Sequence, residues 1–123
     1  MDIKRTERGW AGHFICGHRC LFRRNTLLEY NDLSIVVSTV GYMLIIDGRE
    51  KNIEKIGHNR YFETMCFHSM KDDVRYKDAD VQRQIDFNSP WSIDIIDADD
   101  KANDMHETVV AEITERLLNG ETF

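Results

Sequence analysis

The residues best suited to chemistry lie close together near the N-terminus, within residues 9–26. This segment contains two cysteines, two histidines and three arginines. Thiolates and imidazoles are zinc ligands, and guanidinium groups match the geometry of phosphate oxygens. The segment therefore points first to a metal site or an anion site.

A zinc site could be assembled from the cysteines of this segment and a second pair further along the chain. The four ligands would be Cys16, Cys20, Cys66 and His68, and a Cys-x-His pair places both side chains on one face of a strand. The spacing is not that of an ordinary zinc motif, and free cysteines are usually buried. We therefore favour buried thiols, with no metal and no other cofactor.

An anion site is the second hypothesis for the same segment. Its residues would be Arg19, Arg23, Asn25 and Thr26, which combine guanidinium, amide and hydroxyl groups suited to a phosphate or a nucleotide. The segment reads as a strand, in which neighbouring side chains point to opposite faces. Arg23 and Arg24 should therefore not serve one ligand together.

Catalysis has little support from motifs. The chain contains no Gly-x-Ser-x-Gly elbow, no Walker loop, no dinucleotide fingerprint and no His-Glu-x-x-His helix. The enzymatic hypothesis that remains is a small nuclease or hydrolase that uses His13 with a cysteine or a carboxylate. We favour a protein that is not an enzyme.

Charge divides the chain into two halves. Residues 1–60 contain ten Lys and Arg against seven Asp and Glu, whereas residues 61–123 contain six against fifteen. An acidic half repels phosphates, which argues against general nucleic-acid binding. It suits contact with a basic protein surface, for which the candidate residues are Asp72, Asp73, Asp78, Asp80, Asp97, Asp99 and Asp100.

Length and composition limit the classes of protein to which the chain can belong. The 123 residues suit one domain over residues 1–123, and 41% hydrophobic content with one proline argues against disorder. Three cysteines cannot all pair within one chain, and no apolar run reaches the roughly 20 residues of a membrane span. We expect a cytoplasmic protein without membrane contact.

The elements that position these residues are mostly strands. β-Branched and alternating patterns predict strands over residues 20–30, 33–40, 42–46, 51–56, 61–68 and 81–87. We expect a bulge at Gly41, a hairpin turn at Asp47-Gly48 and a charged loop over residues 71–80. In the last strand, Val81, Ile85 and Phe87 should share the buried face.

The C-terminal region changes to the period of a helix. Ala102, Met105, Val109, Ile113 and Leu117 recur at three- and four-residue spacing, with Leu118 beside them. Asn119-Gly120 provides a stop signal. The fold class we expect is α+β, with a curved antiparallel sheet of about five to six strands packed against one C-terminal helix.

Several stretches resemble a family of small, uncharacterised proteins encoded by bacteriophages and prophages. The likeness lies in residues 9–16, 19–28, 37–41, 60–65 and 99–103. It carries over no functional residues. It implies an origin in a mobile element, and small acidic phage proteins without enzyme motifs are often inhibitors of host defence, such as anti-CRISPR proteins.

Three hypotheses follow for function. The leading one is a phage-type viral protein that blocks a defence protein or complex in the host bacterium through its acidic surface. The first alternative is a binder that sequesters a nucleotide signal through the Gly/Arg segment, and the second is the small enzyme. Exposed strand edges are also compatible with a homodimer.

Overall fold

The chain has an α+β fold in which an antiparallel sheet packs against a C-terminal helix, as predicted. The computed structural model describes residues 3–9, 20–47, 50–54, 62–87, 98–121 and 123. The strands are β1 (Lys4–Arg8), β2 (Cys20–Tyr30), β3 (Leu33–Asp47), β4 (Glu50–Glu54), β5 (Phe62–Ser69) and β6 (Ala79–Ile85), and the helix is α1 (Ala98–Leu118).

The long strand β3 organises the sheet. The strand order is β1-β2-β3-β5-β6, and β4 also pairs with β3. The first part of β3 pairs with β5 as far as Gly41, and its last part pairs with β4 from Met43 onward. One edge of β3 therefore serves two partners in succession.

Two local predictions in β3 were wrong. Gly41 forms no bulge, because it pairs in register with Phe22 on one side and with Phe62 on the other. It lies where the partner strand changes from β5 to β4, which accounts for the interruption in the β-branched pattern. Asp47 is the last residue of β3 and pairs with Glu50, so it is a strand residue and not a turn residue, while Gly48 lies outside the described residues.

The main core lies between the sheet and α1. Leu28, Ile35 and Val37 contribute from the sheet, and Val109 and Ile113 from the helix, all almost fully buried. The buried face of α1 is the one predicted from its spacing, and it also includes Ala102, Met105 and Leu117. Leu118 lies outside it and is 53% exposed.

A second, smaller core lies on the opposite face of the sheet. Leu27, Val36, Phe67 and Ala79 are buried there. The loop over residues 70–78 is tied to this side of β1 and β2, because the Arg8 guanidinium donates to the backbone oxygens of Tyr76 and Lys77. The Lys77 ammonium also lies 2.6 Å from a carboxylate oxygen of Glu29 on β2. The loop thereby covers apolar surface that the helix cannot reach.

Strand β6 departs from its prediction. Ile85 is buried and Phe87 packs against the main core, but Val81 is 58% exposed. A register shift between β5 and β6 lies near Phe67 and Ser69. Such an irregularity breaks the strict alternation on which the prediction for Val81 depended.

The end of α1 follows its sequence signal. Gly120 has φ of 72°, its N–H donates to the Leu117 oxygen at 3.1 Å, and the Glu121 N–H donates to the Arg116 oxygen at 3.1 Å. These two bonds form a Schellman motif, which satisfies the last carbonyl groups of the helix. No helix among the described residues combines the length and the apolar character needed to cross a membrane.

Gly120→Ala should lower the free energy of unfolding by about 1 kcal/mol, because an L side chain is strained at positive φ. Open space surrounds the position of the new Cβ, so strain would be the only cost. Gly9→Ala is the matched control, since Gly9 is equally open but lacks a positive φ. Urea unfolding of both variants tests this, and an equal loss of stability in both would contradict it.

Candidate functional site

A chain of polar side chains is buried between α1 and the sheet. His106 on α1 has no exposed surface, and its ring contacts both central strands. Its Nδ1 lies 2.7 Å from Thr39 Oγ1, and its Nε2 lies 2.7 Å from Thr26 Oγ1. Thr39 Oγ1 lies 2.7 Å from Thr64 Oγ1, and Thr26 Oγ1 lies 2.8 Å from Glu7 Oε1. The chain thus runs across four strands, from β5 to β1.

The carboxylate at one end determines the direction of every hydrogen bond. Ionised Glu7 can only accept, so the Thr26 hydroxyl donates to it. Thr26 must then accept from His106, which places the ring proton on Nε2. In a neutral ring, Nδ1 is then left to accept from Thr39, which in turn accepts from Thr64. A neutral His106 therefore carries its proton on Nε2.

The surroundings keep this imidazole neutral. Burial lowers the pKa of His106 to about 4, and the charge of Arg24 acts in the same direction. Glu7 and Glu107 favour the protonated ring, and Arg5 opposes it. Burial outweighs the carboxylates, because both already interact with arginines.

The chain ends at the surface in a cluster of four charges from β1, β2 and α1. Arg5 Nη2 lies 2.6 Å from Glu7 and 2.7 Å from Glu107, and Arg24 Nη2 lies 3.0 Å and 2.9 Å from the same carboxylates. The hydrogen bond from Arg5 is the main cause that lowers the pKa of Glu107 to about 2. Partial burial acts to raise the pKa of Glu7, but bonds from Arg5 and Thr26 and the Arg24 charge bring it below its ordinary value.

This network is suited to holding the helix on the sheet and not to catalysis. A ring without exposed surface cannot contact a substrate, and both of its nitrogens are already bonded to threonines. Sequence reasoning missed His106. One signal could have found it: His106 lies four residues after Ala102 and four before Val110, on the apolar face of α1.

The structure separates the residues predicted to bind an anion. Asn25 and Thr26 are neighbours on β2 and point to opposite faces of the sheet. Asn25 is buried and its Oδ1 accepts from Arg8 at 2.8 Å, whereas Thr26 belongs to the His106 network. Arg23 is exposed on the Asn25 side, and Arg19 lies outside the described residues. Thr26 therefore cannot share a ligand with Arg23 and Asn25.

Only half of the predicted zinc ligands can be placed. Cys66 and His68 lie on the helix-facing side of β5, and burial raises the pKa of the Cys66 thiol to about 12, which keeps it protonated. Cys16 lies outside the described residues, and only the backbone of Cys20 is described. Within the described part of the chain, no three His, Cys, Asp or Glu side chains group together as a metal site would require.

The acidic loop uses several of its predicted contact residues internally. The Asp73 carboxylate accepts from the backbone N–H groups of Tyr76 and Asp78 at 3.0 and 3.3 Å. Asp78 accepts from the N–H of Ala79 at 2.8 Å, and Asp80 accepts from Arg83 Nε at 2.9 Å. Asp72 and Asp100 are exposed, the side chain of Asp99 is not described, and Asp97 lies outside the described residues.

The outward face of α1 carries more exposed carboxylates than the loop. Asp100, Asp104, Glu107 and Glu115 are exposed along it. At 3.6 residues per turn their side chains fall on one side of the helix. Sequence reasoning named only Asp100 among them, because it treated acidic residues as parts of the loop and of the start of the helix.

No protein-family model, curated protein or solved structure matches this chain. Its class therefore follows from the structure alone. The chain is an α+β protein whose helix is joined to the sheet by a buried histidine network. The resemblance to phage proteins stays a prediction.

The stability of the protein should fall as the pH falls from ~6.5 to ~4. The unfolded chain holds His106 at an ordinary pKa of about 6.5, so in this interval it binds more protons than the folded chain, in which this pKa is about 4. This histidine alone should remove about 2 kcal/mol of unfolding free energy between pH ~7.5 and pH ~5. Urea unfolding of wild type and His106→Gln at both pH values measures the effect. Equal losses in the two proteins would contradict it.

Valine substitutions should reveal the direction of the hydrogen-bond chain. Thr26→Val leaves the His106 N–H without an acceptor and should cost about 2 kcal/mol of unfolding free energy. Thr64→Val is the control, because it replaces the same hydroxyl by a methyl group. It removes only the first donor of the hydrogen-bond chain and should cost about 1 kcal/mol or less of unfolding free energy. Equilibrium unfolding compares them, and a larger cost for Thr64→Val would disprove the assigned direction.

Proposed function

We propose that this chain is a non-enzymatic binding protein that inhibits a component of bacterial defence by direct contact through an acidic face. The observation that carries the proposal is the row of exposed carboxylates on α1, formed by Asp100, Asp104, Glu107 and Glu115. The proposed target is a basic, nucleic-acid-binding surface of a host protein or complex in the bacterial cytoplasm. The resemblance to phage proteins is the reason for proposing a defence target.

The geometry of this acidic face suits a groove built for nucleic acid. From Asp100 to Glu115 the helix rises about 1.5 Å per residue, so the row extends over about 22 Å. Lys101 lies at the edge of the row, and Glu107 is paired with Arg5 and Arg24. Asp104 and Glu115 form no hydrogen bond or ion pair through their carboxylates with any described residue, so they are available to lysines and arginines of a partner.

The support beneath the helix adds to the proposal. His106 is hydrogen-bonded to two strands, so the outward face is presented on a rigid base. A rigid face loses little conformational entropy on binding. Complementary charge mainly raises the rate of association and selects the partner. These are the properties that an inhibitor competing with nucleic acid would need.

The catalytic alternative depends on residues that the structure does not describe. The nuclease or hydrolase hypothesis needs His13, which lies outside the described residues. Substitution of His13, Cys16 and Cys20 without any loss of a measured activity would dispose of it. A homodimer also stays a prediction.

Reversal of charge on the acidic face should abolish the inhibition. Asp104→Lys/Glu115→Lys changes two exposed residues that face solvent, so folding should be retained. When the chain is expressed in a bacterium with active defence, wild type should restore plaque formation by a sensitive phage and this variant should not. Purified complexes should weaken with added salt in the wild type, because the contact is electrostatic.

Asp32→Lys/Asp86→Lys is the matched control. Both side chains are exposed, lie outside the acidic face and give the same change in net charge. Asp86 is hydrogen-bonded to α1 only through its backbone oxygen, which accepts from Arg116. This control should inhibit defence as wild type does. If both double variants keep the activity, the acidic face is not the contact surface, and if both lose it equally, only net charge matters.

A further inference from the structure

A basic groove lies on the side of the sheet opposite to α1, between β1, β2 and the loop over residues 70–78. Its volume is about 330 Å³, within the ordinary range of small-ligand sites. Lys4, Arg8, Arg75 and Lys77 line it, and Glu29 is the only carboxylate among its described lining residues. Four cations thus converge in a chain whose net charge is −6.

Only part of this positive charge is neutralised within the groove. Lys77 Nζ lies 2.6 Å from Glu29 Oε2. The Arg8 charge is balanced in part by Glu29, Asp73 and Asp78, which leaves Lys4 and Arg75 as the cations less compensated by carboxylates. The side chains of Lys4 and Arg75 form no hydrogen bond or ion pair with any described residue. Like charges held together raise the free energy of the folded chain, and a bound anion would relieve that cost.

The groove is also held in shape before any ligand binds. The Arg8 guanidinium donates to backbone oxygens of Tyr76 and Lys77, which fixes the loop against β1. The Arg75 guanidinium lies 5.2 Å from the centre of the Tyr76 ring, and this contact orients it. The Asp73 carboxylate accepts two backbone N–H groups of the same loop. A site ordered in advance loses less entropy on binding.

We propose that this groove binds the phosphate of a small ligand of nucleoside-monophosphate size. Lys4 and Arg75 contact the phosphate oxygens, Arg8 and Lys77 hold the loop that carries Arg75, and the apolar walls from Leu27 and Tyr76 contact the rest of the ligand. Guanidinium and ammonium groups are the usual partners of phosphate. The site is distinct from the acidic face of α1 and from the predicted residues Arg23 and Thr26.

A small ligand fits better than a nucleic-acid strand. A strand would have to approach a protein with six excess negative charges, and its many phosphates would meet only a short groove. A single phosphate can enter the groove without such contacts. The proposal therefore commits to a phosphorylated small molecule, and a strand is an outcome of the test.

Calorimetric titration of the purified chain with AMP, inorganic phosphate and a single-stranded oligonucleotide tests the proposal. Wild type should bind AMP at one site per chain and inorganic phosphate more weakly. Lys4→Ala/Arg75→Ala should weaken AMP binding about tenfold or more, since two charge-assisted contacts are lost. Both residues are exposed and their removal lessens the repulsion between like charges, so the variant should melt no lower than wild type.

Arg23→Ala/Lys71→Ala is the control, because it removes two exposed cations outside the groove. It should change AMP binding less than about twofold, well under the effect of losing one contact. Equal weakening in both variants would show that only net charge matters and would overturn the proposal. So would tighter binding of the oligonucleotide than of AMP, or no binding of AMP at millimolar concentration.

Discussion

The position of the helix on the sheet depends on one buried side chain, His106. Apolar contacts between α1 and the sheet are not directional and would tolerate a small rotation or shift of the helix. The imidazole is directional, because its two nitrogens must meet Thr26 on β2 and Thr39 on β3 at the same time. An unsatisfied buried N–H or ring nitrogen costs more than a displaced methyl group. The histidine therefore selects one rotation of α1 from those that the core would allow.

That rotation also determines which side chains α1 exposes to solvent. When His106 points to the sheet, Asp104 and Glu115 point to solvent on the other side of the same helix. Glu107, the next residue, is brought between Arg5 and Arg24 at the edge of β1 and β2. The buried network and the surface cluster thus share Glu7, which accepts from Thr26 inside and from the arginines outside.

The pattern of the sequence was sufficient for the fold class, the long central strands and the inward face of α1, because period and β-branching report burial directly. The sequence pattern was insufficient where one strand pairs with two other strands along the same edge. Gly41 reads as a break, yet it lies where β3 changes partner. His106 could not be paired in advance, since nothing in a linear sequence places Thr26 and Thr39 beneath it. Nor could the sequence distinguish the role of Asp73 from that of Asp72, although only the Asp73 carboxylate closes the loop by accepting backbone hydrogen bonds.

The basic and acidic halves of the sequence do not form separate basic and acidic regions of the folded protein. Arg75 and Lys77 belong to the acidic half of the sequence, yet the loop that carries them turns them toward Lys4 and Arg8 on β1. The carboxylates of α1 end on the far side of the sheet. A helix about 10 Å across lies between the two surfaces, and the Debye length at physiological salt is about 8 Å. Each surface can therefore attract a partner of opposite charge, so the two proposals, a phosphate in the groove and a basic protein on the helix, do not exclude each other.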